Sequence, residues 1–478
     1  MNKVLSHIEL TKIFADLLTN QKVEATKYFL PNIFYRVNHS IMYNAWELKQ
    51  AWIGTVRDIK KRKNKNPLKF YIHIPFCRKK CNFCFYYSAT SFPKSEIINH
   101  YIKRTCNEMN FYKDVFSDVE FKSFEIRGGS PSILSEGQLN GLLANLFKNF
   151  HFSQEVGERS FECNPHEMTP QKFKILKKFG FTDLSFGVQS LDPKILKYAN
   201  RGYQTYDLVK RSILNAQYYG FKIKVDLMVG LYKDNAKSFV RSFGKIAKFG
   251  PKIIAMNPLH PTGMYLKRYF GNNESLFYSE LEKKISQVMK FIKPIADKFG
   301  YAYDDKIYLH RWQCVGFRKE EKEARNIPVE SSTGFDSFSS VFGIGYNSVS
   351  KIIGFARYQN TSTFLNDFSP QEKYYNFFFC GLKDDMRDYI LEHFAKREYI
   401  SQKDFKRIFK KNLLDAFSYP FFALKKLKKI KIEKDKIYFL PKDSKEMFIY
   451  SLFFWDKDEL AKTIRELINI RANYQFNK

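Results

Sequence analysis

Nowhere in the 478 residues does an apolar run approach the roughly 20 residues of a membrane span. The opening Met1-Asn2-Lys3-Val4 leads into mixed polar sequence, so no secretory leader is expected. The chain also lacks an even cysteine count: there are seven, and three crowd between positions 77 and 84, which argues against a secreted disulfide framework. No second C-x-x-C pair occurs, and no internal repeat beyond a strand–helix rhythm. A soluble, cytoplasmic protein in a reducing compartment is expected. Acid is the other scarcity, with 49 Asp plus Glu against 80 Lys plus Arg and a net charge of +31. At 44% hydrophobic and 27% charged, however, the composition is that of a globular chain.

Much of the basic excess reads as a solvated surface, because lysine is abundant beside Asn, Ile, Phe and Tyr. Two clusters stand out: Lys60, Lys61, Arg62, Lys63, Lys65, and Lys425, Lys426, Lys428, Lys429, Lys431. The first has no aromatic stacking pattern, and its charge alone leaves an anionic ligand and nucleic acid both open as partners.

Residues 1–65 read as a helical extension closing in a basic linker. From 66 to 310, β-type runs alternate with helical ones: Lys69–Ile74, Ser123–Arg127, Ser160–Cys163, Asp183–Val188, Lys222–Val229 and Lys252–Asn257. Ser135 with Gln138 forms a capping box, and Leu139, Leu142, Leu143, Leu146 and Phe147 fill one helical face. Thr169-Pro170 and Asp192-Pro193 open further helices, and Gly180 closes one. Six strand–helix repeats predict an α/β fold with parallel strands, a partial (β/α)6 barrel whose chemistry lies at the C-terminal strand ends. A loop-rich segment is expected over 311–375. Over 376–478 a winged-helix-like module is expected, with a hairpin around Lys434-Asp435.

Cys77, Cys81 and Cys84 form C-x3-C-x2-C directly after the first strand. Thiolates suit a soft metal centre. Structural zinc wants four ligands, and Cys106, Cys163, Cys314 and Cys380 are scattered. His73 is a fourth candidate, although it lies on the strand. Iron–sulfur clusters also take four thiolates as a rule, so three would leave one iron open to a non-protein ligand.

The string Tyr71-Ile72-His73-Ile74-Pro75-Phe76-Cys77, continuing to Cys81-Asn82-Phe83-Cys84, resembles the cluster loop of radical S-adenosylmethionine enzymes. More narrowly, it resembles the oxygen-independent coproporphyrinogen III oxidases and the related heme chaperones, over roughly residues 66–455. The resemblance implies a [4Fe-4S] cluster on Cys77, Cys81 and Cys84 and S-adenosylmethionine as cosubstrate. It assigns cosubstrate contacts to Tyr71, Phe83, Gly128, Gly129, Ser130, Glu162, Gln189, Arg201 and Asp226, with no catalytic residue beyond cluster and cosubstrate. It further implies a tetrapyrrole substrate, propionate decarboxylation by hydrogen abstraction, and a low-potential donor such as flavodoxin or ferredoxin.

Departures from the family pattern keep other readings open. Tyr86 stands where the oxidases commonly carry a further cysteine, and Cys84-Phe85-Tyr86-Tyr87-Ser88 is nearer to the heme chaperones and to porphyrin-opening methyltransferases. The long segment before Cys77 is similar to that of the oxidases. Arg127 replaces the first of three glycines, so an altered turn is expected there, and Ser130 replaces threonine. Gly343-Ile344-Gly345 and Tyr358-Gln359-Asn360 match segments near the family's substrate cavity. DNA binding through the C-terminal module is the last of the readings.

Overall fold

The computed structural model describes residues 41–62, 68–84, 89–91, 93–154, 157–303, 315–319, 339–363, 365–395 and 399–440, with isolated positions at Glu9 and between 446 and 465. Most of the expected N-terminal extension, Cys314, the Phe85–Ser88 string, Lys63 and Lys65 lie outside the described residues. The chain divides into two compact units, the larger comprising Val37–Asp304 and Gln313–Gly381.

In the larger unit the strands of the main sheet are β1 (Ile41–Tyr43), β2 (Leu68–Ile74), β3 (Ser123–Gly128), β4 (Arg159–Cys163), β5 (Asp183–Gln189), β6 (Lys222–Val229) and β7 (Ile253–Pro258). They are followed by β8 (Tyr301–Ala302), β9 (Val315–Lys319), β10 (Ser340–Ile344), β11 (Val349–Ile352), β12 (Ala356–Asn360) and β13 (Tyr375–Phe379). All thirteen join one mixed sheet in the order β1-β13-β12-β11-β10-β2-β3-β4-β5-β6-β7-β9-β8. Strands β2 to β7, the six anticipated, pair parallel and in chain order, because each is followed by a helix that carries the chain back.

Local chemistry sets the helix starts. The helices used below are α1 (Ala45–Arg62), α2 (Ser95–Tyr112), α3 (Glu136–Asn149), α4 (Pro170–Lys178) and α5 (Pro193–Tyr198). Ser135 and Gln138 form both halves of the capping box on α3. Thr169 and Asp192 cap α4 and α5, with proline just inside each.

Alternation gives the parallel strands two faces. One is apolar, with Phe70, Ile72, Phe124, Ile126, Phe161, Leu184 and Val225 buried. It feeds an aromatic cluster in which Trp52, Phe70, Tyr112 and Phe116 all meet Phe342 at 4.6–5.5 Å between ring centroids. The other face is polar, carrying Tyr71, His73, Glu125, Arg127, Ser160, Glu162, Ser185, Lys224 and Asp226.

The segment expected to be loop-rich with short strands holds a seventh parallel strand, β10, which pairs with β2 in the register Phe342↔Phe70, and β11–β13 continue from it as an antiparallel meander. The segment before the linker is not purely helical: β1 pairs with β13, and α1 buries Ala45, Leu48, Trp52 and Val56.

The smaller unit comprises Met1–Arg36, Asp305–Trp312 and Leu382–Lys478, and the elements given below lie in the last of these. It carries helices Leu382–Ala395, Gln402–Phe409, Leu413–Ala416 and Ser418–Lys426, and a three-stranded sheet of Ile400–Ser401, Lys436–Phe439 and Ile430–Glu433. The hairpin turns at Lys434, at φ +50°. Asp435 accepts from the Ser401 hydroxyl at 2.6 Å and the Lys403 N–H at 2.8 Å. In the lysine clusters, Lys60 pairs with Asp118, Lys429 with Glu446 and Lys431 with Glu433. Part of the excess charge is therefore locally compensated.

Candidate functional site: a cysteine loop at the strand ends

The cysteine loop leaves the C-terminal end of β2 and is fastened at both sides. Toward β3, the Gly129 N–H donates to the Ile74 carbonyl at 2.8 Å and the Ser130 N–H to the Phe76 carbonyl at 2.7 Å. This approach needs glycine: a Cβ at 129 would lie 2.5 Å from the Phe76 oxygen and 2.9 Å from Cys77 Sγ. The left-handed φ falls on Gly128, at +129°, and Arg127 is absent from the positive-φ residues. Arginine is thus accommodated as an ordinary strand residue, and the turn distortion expected at this position does not arise.

Toward the turn after α5, the Asn82 N–H donates to the Ala199 carbonyl and its side chain to the Tyr198 carbonyl. The Asn200 amide donates in return to the Lys80 carbonyl at 2.8 Å. Arg201, 7% exposed, is a clamp and not a surface residue. Its Nη1 donates to Cys81 Sγ at 3.6 Å, and its Nη2 to the Gly187 carbonyl at 2.6 Å and Gln204 Oε1 at 3.0 Å. Burial works against the guanidinium charge, but Cys81, Tyr203 and Cys77 outweigh it and hold the pKa above the usual value.

Cys77, Cys81 and Cys84 are in no disulfide and are of intermediate exposure. Burial first, then the charges of Cys84 and Cys81, push the Cys77 thiol up to about 12. A thiol raised by two neighbouring sulfurs in this way suits a cationic, thiophilic group. As they stand, no group of three His, Cys, Asp or Glu among the described residues is placed to hold a single metal ion. The donor set, the glycine cradle against Cys77 and the guanidinium on Cys81 nevertheless fit a cluster seated on this loop.

The remaining anticipated residues line the same end of the sheet. The Tyr71 hydroxyl and His73 Nδ1 share a 2.7 Å hydrogen bond, and His73 Nε2 has no partner. Phe83, within the loop, is buried. Glu162 accepts from the Gly128 N–H at 3.4 Å; burial raises its pKa, and Arg127 opposes the rise. Gln189 sits at φ +68°, a strained conformation for a side-chain-bearing residue, with Oε1 unpartnered. Asp226, which needed a partner inside an apolar strand, accepts from Ser185 at 2.8 Å and Asn257 at 3.1 Å and pairs with Lys224 at 3.4 Å.

Sequence reasoning missed Glu167, which sits in the turn after β4. The Ser130 and Ser132 hydroxyls donate to its Oε2 at 3.1 and 3.0 Å, while its buried Oε1 has no partner. Lys172 Nζ donates to the Ser132 and Glu167 carbonyls, both at 2.8 Å. The visible signal was an acid two residues beyond Asn164-Pro165, with serines on either side of Pro131 needing a partner.

Comparison with known proteins places this geometry. A coproporphyrinogen III oxidase, oxygen-independent, from Helicobacter pylori is 32% identical over 200 residues, 41% of this chain and 42% of that protein's length. The heme chaperone HemW of Buchnera aphidicola from Acyrthosiphon pisum is 27% identical over 358 residues, covering 72% of this chain and 86% of that one. In fold, the chain is similar to coproporphyrinogen III oxidase (HemN) from Escherichia coli, with a TM-score of 0.67 at 18% identity, covering 85% of this chain and 93% of that one. Residues 71–246 match the Radical SAM superfamily. The cysteine loop, the glycine turn and Arg201 all lie inside those bounds.

Proposed function

We propose that the chain is a radical S-adenosylmethionine oxidoreductase acting on a tetrapyrrole, most like an oxygen-independent coproporphyrinogen III oxidase. The observation that carries the reading is the clamp on the cysteine loop: Gly129 against Cys77 and the Arg201 guanidinium on Cys81. Cys77, Cys81 and Cys84 would hold a [4Fe-4S] cluster. When bound, cluster and cosubstrate supply one-electron cleavage of a carbon–sulfur bond and hydrogen abstraction from the substrate.

The protein's part is to bind, orient and shield. Arg201 stabilises thiolate charge on Cys81 by a charge-assisted hydrogen bond. Gly128, Gly129 and Ser130 bring backbone and a hydroxyl close to the loop, where side chains would intrude. Glu162 and Asp226 accept hydrogen bonds from ligand hydroxyl or ammonium groups, and Gln189 both donates and accepts. Phe83 and the Tyr71–His73 pair close the floor against water.

The test is anaerobic reconstitution followed by incubation with a reductant, S-adenosylmethionine and coproporphyrinogen III, with Cys81→Ala as control. Deoxyadenosine and a product lighter by carbon dioxide and a pair of hydrogens per propionate are expected from the parent chain and neither from the variant. If the parent chain yields neither, the reading is wrong. A second reading, a heme-binding chaperone, is favoured by the match over 86% of the Buchnera heme chaperone. It predicts tight heme binding and transfer to an acceptor, with no decarboxylated product.

A further inference from the structure

Two motifs remain unassigned, Gly343-Ile344-Gly345 and Tyr358-Gln359-Asn360. They sit at the end of β10 and on β12, and their polar groups are engaged by α1 and α2. The Gly345 N–H donates to Glu108 Oε2 at 3.1 Å, and the Asn360 amide donates to Glu108 Oε1 at 3.2 Å. Tyr375 adds its hydroxyl to Glu108 Oε1 at 2.7 Å, and Trp52 donates to the Tyr358 hydroxyl at 2.6 Å. About two turns earlier on the same face of α2, the Tyr101 hydroxyl makes two bonds at once. It donates to the His73 carbonyl at 2.6 Å and accepts from the Tyr346 N–H at 3.0 Å.

Tyr101 and Arg104 are 0% exposed and Glu108 1%, so none of these groups has water as an alternative partner. Arg104 Nη1 lies 3.4 Å from Glu108 Oε2, and its Nη2 donates to the Ser362 hydroxyl at 2.6 Å. The crossing point demands Gly345, at φ +94°: a Cβ there would lie 2.4 Å from the Tyr101 oxygen and 2.9 Å from the His73 oxygen. The His73 carbonyl lies at the end of β2, just before Ile74 and Phe76, whose carbonyls anchor Gly129 and Ser130.

We propose that Tyr101 is a positioning residue for the cysteine loop. Its hydroxyl ties the end of β2 to the turn after β10, which Glu108 holds from below. The loop and that turn therefore move as one body. The two unassigned motifs serve this tie, not ligand contact. The inference rests on the reading of Cys77–Cys84 as the cluster loop.

The test uses the full chain carrying Tyr101→Phe, which removes one buried oxygen. Ile98→Val, at a buried position one turn earlier on α2, is the control for a merely structural loss. Hydrogen exchange is followed at the Gly129 and Ser130 amides, which do not touch Tyr101 but report the Ile74 and Phe76 carbonyls. Both variants are measured at equal distance from their own urea midpoints. Tyr101→Phe is expected to speed exchange at those amides by about tenfold, with Ile98→Val leaving them unchanged. Reconstituted Tyr101→Phe should also lose iron to a chelator about tenfold faster than the control. Gly345→Ala, pressing on the same hydroxyl from the other side, should move the same two amides. Exchange and iron loss indistinguishable between Tyr101→Phe and Ile98→Val would overturn the proposal. Should the parent chain take up no iron, the cluster reading fails, while the exchange measurement on iron-free protein still decides this one.

Discussion

Replacing Gly129 by alanine adds one methyl group where the backbone has no room. The new Cβ would stand 2.5 Å from the Phe76 oxygen and 2.9 Å from both the Phe76 carbonyl carbon and Cys77 Sγ. Two of those neighbours are backbone, so rotamer adjustment cannot relieve the clash. Separation breaks the Gly129 N–H bond to Ile74 and the Ser130 N–H bond to Phe76, each worth about 1 kcal/mol. Residual overpacking adds about 1–3 kcal/mol, giving a destabilisation of about 3–5 kcal/mol. Gly141 provides the counter-case. It lies within α3, and a Cβ added there would meet nothing within 4 Å, so Gly141→Ala should stabilise by about 0.5–1 kcal/mol. Urea unfolding of both variants gives the signs, and iron per chain after anaerobic reconstitution reports Cys77. Gly129→Ala should fall well below the parent in iron content, and Gly141→Ala should match it. Equal stability and equal iron in Gly129→Ala would refute the close approach on which the site reading depends.

Arg201→Lys keeps the charge but loses the fork, so one ammonium cannot serve both Cys81 and the Gly187 carbonyl. A loss of about 2–3 kcal/mol is expected, with faster iron release to a chelator; parent-like retention would count against the clamp. Phe342→Ala removes the ring shared by Trp52, Phe70, Tyr112 and Phe116 and should cost about 3–5 kcal/mol in urea unfolding. Burial lowers the His260 pKa from 6.5 to about 4. The unfolded chain binds that proton more readily, so the stability at stake is complete above pH 6.5 and falls away as the pH drops toward 4. It amounts to about 3 kcal/mol, and His260→Gln should flatten that part of a stability–pH curve.

The parallel strands were legible because each is a short β-rich run bounded by a capped helix, and the caps at Ser135, Thr169 and Asp192 are local chemistry. β10 escaped notice because Gly343 interrupts the side-chain alternation that marks a strand, and its pairing with β2 spans most of the domain. The cysteine triad was readable from its spacing, whereas the glycine turn was tied to the site only by the family resemblance. Glu167 was not readable, since its role depends on Ser130 and Ser132 arriving from another strand. Nor was the tie at Tyr101: an aromatic on an amphipathic helix reads as core, and its hydroxyl gains meaning only when the His73 carbonyl and the Tyr346 N–H meet it in space.

The polar face of the parallel strands gives the molecule two electrostatic ranges. The +31 of the whole chain acts outward through salt water, where a screening length of about 8 Å at physiological ionic strength limits it. Around Glu162 the groups that matter are Arg127, Asp226 and Lys224, with burial the strongest influence on the carboxyl. An anionic solute is therefore drawn in from a distance by a field that added salt erases. A cationic centre arriving beside Glu162 and Asp226 is held by groups that salt barely reaches. Long-range attraction of an anion should collapse as salt rises, whereas retention of a cationic centre beside Glu162 should change little.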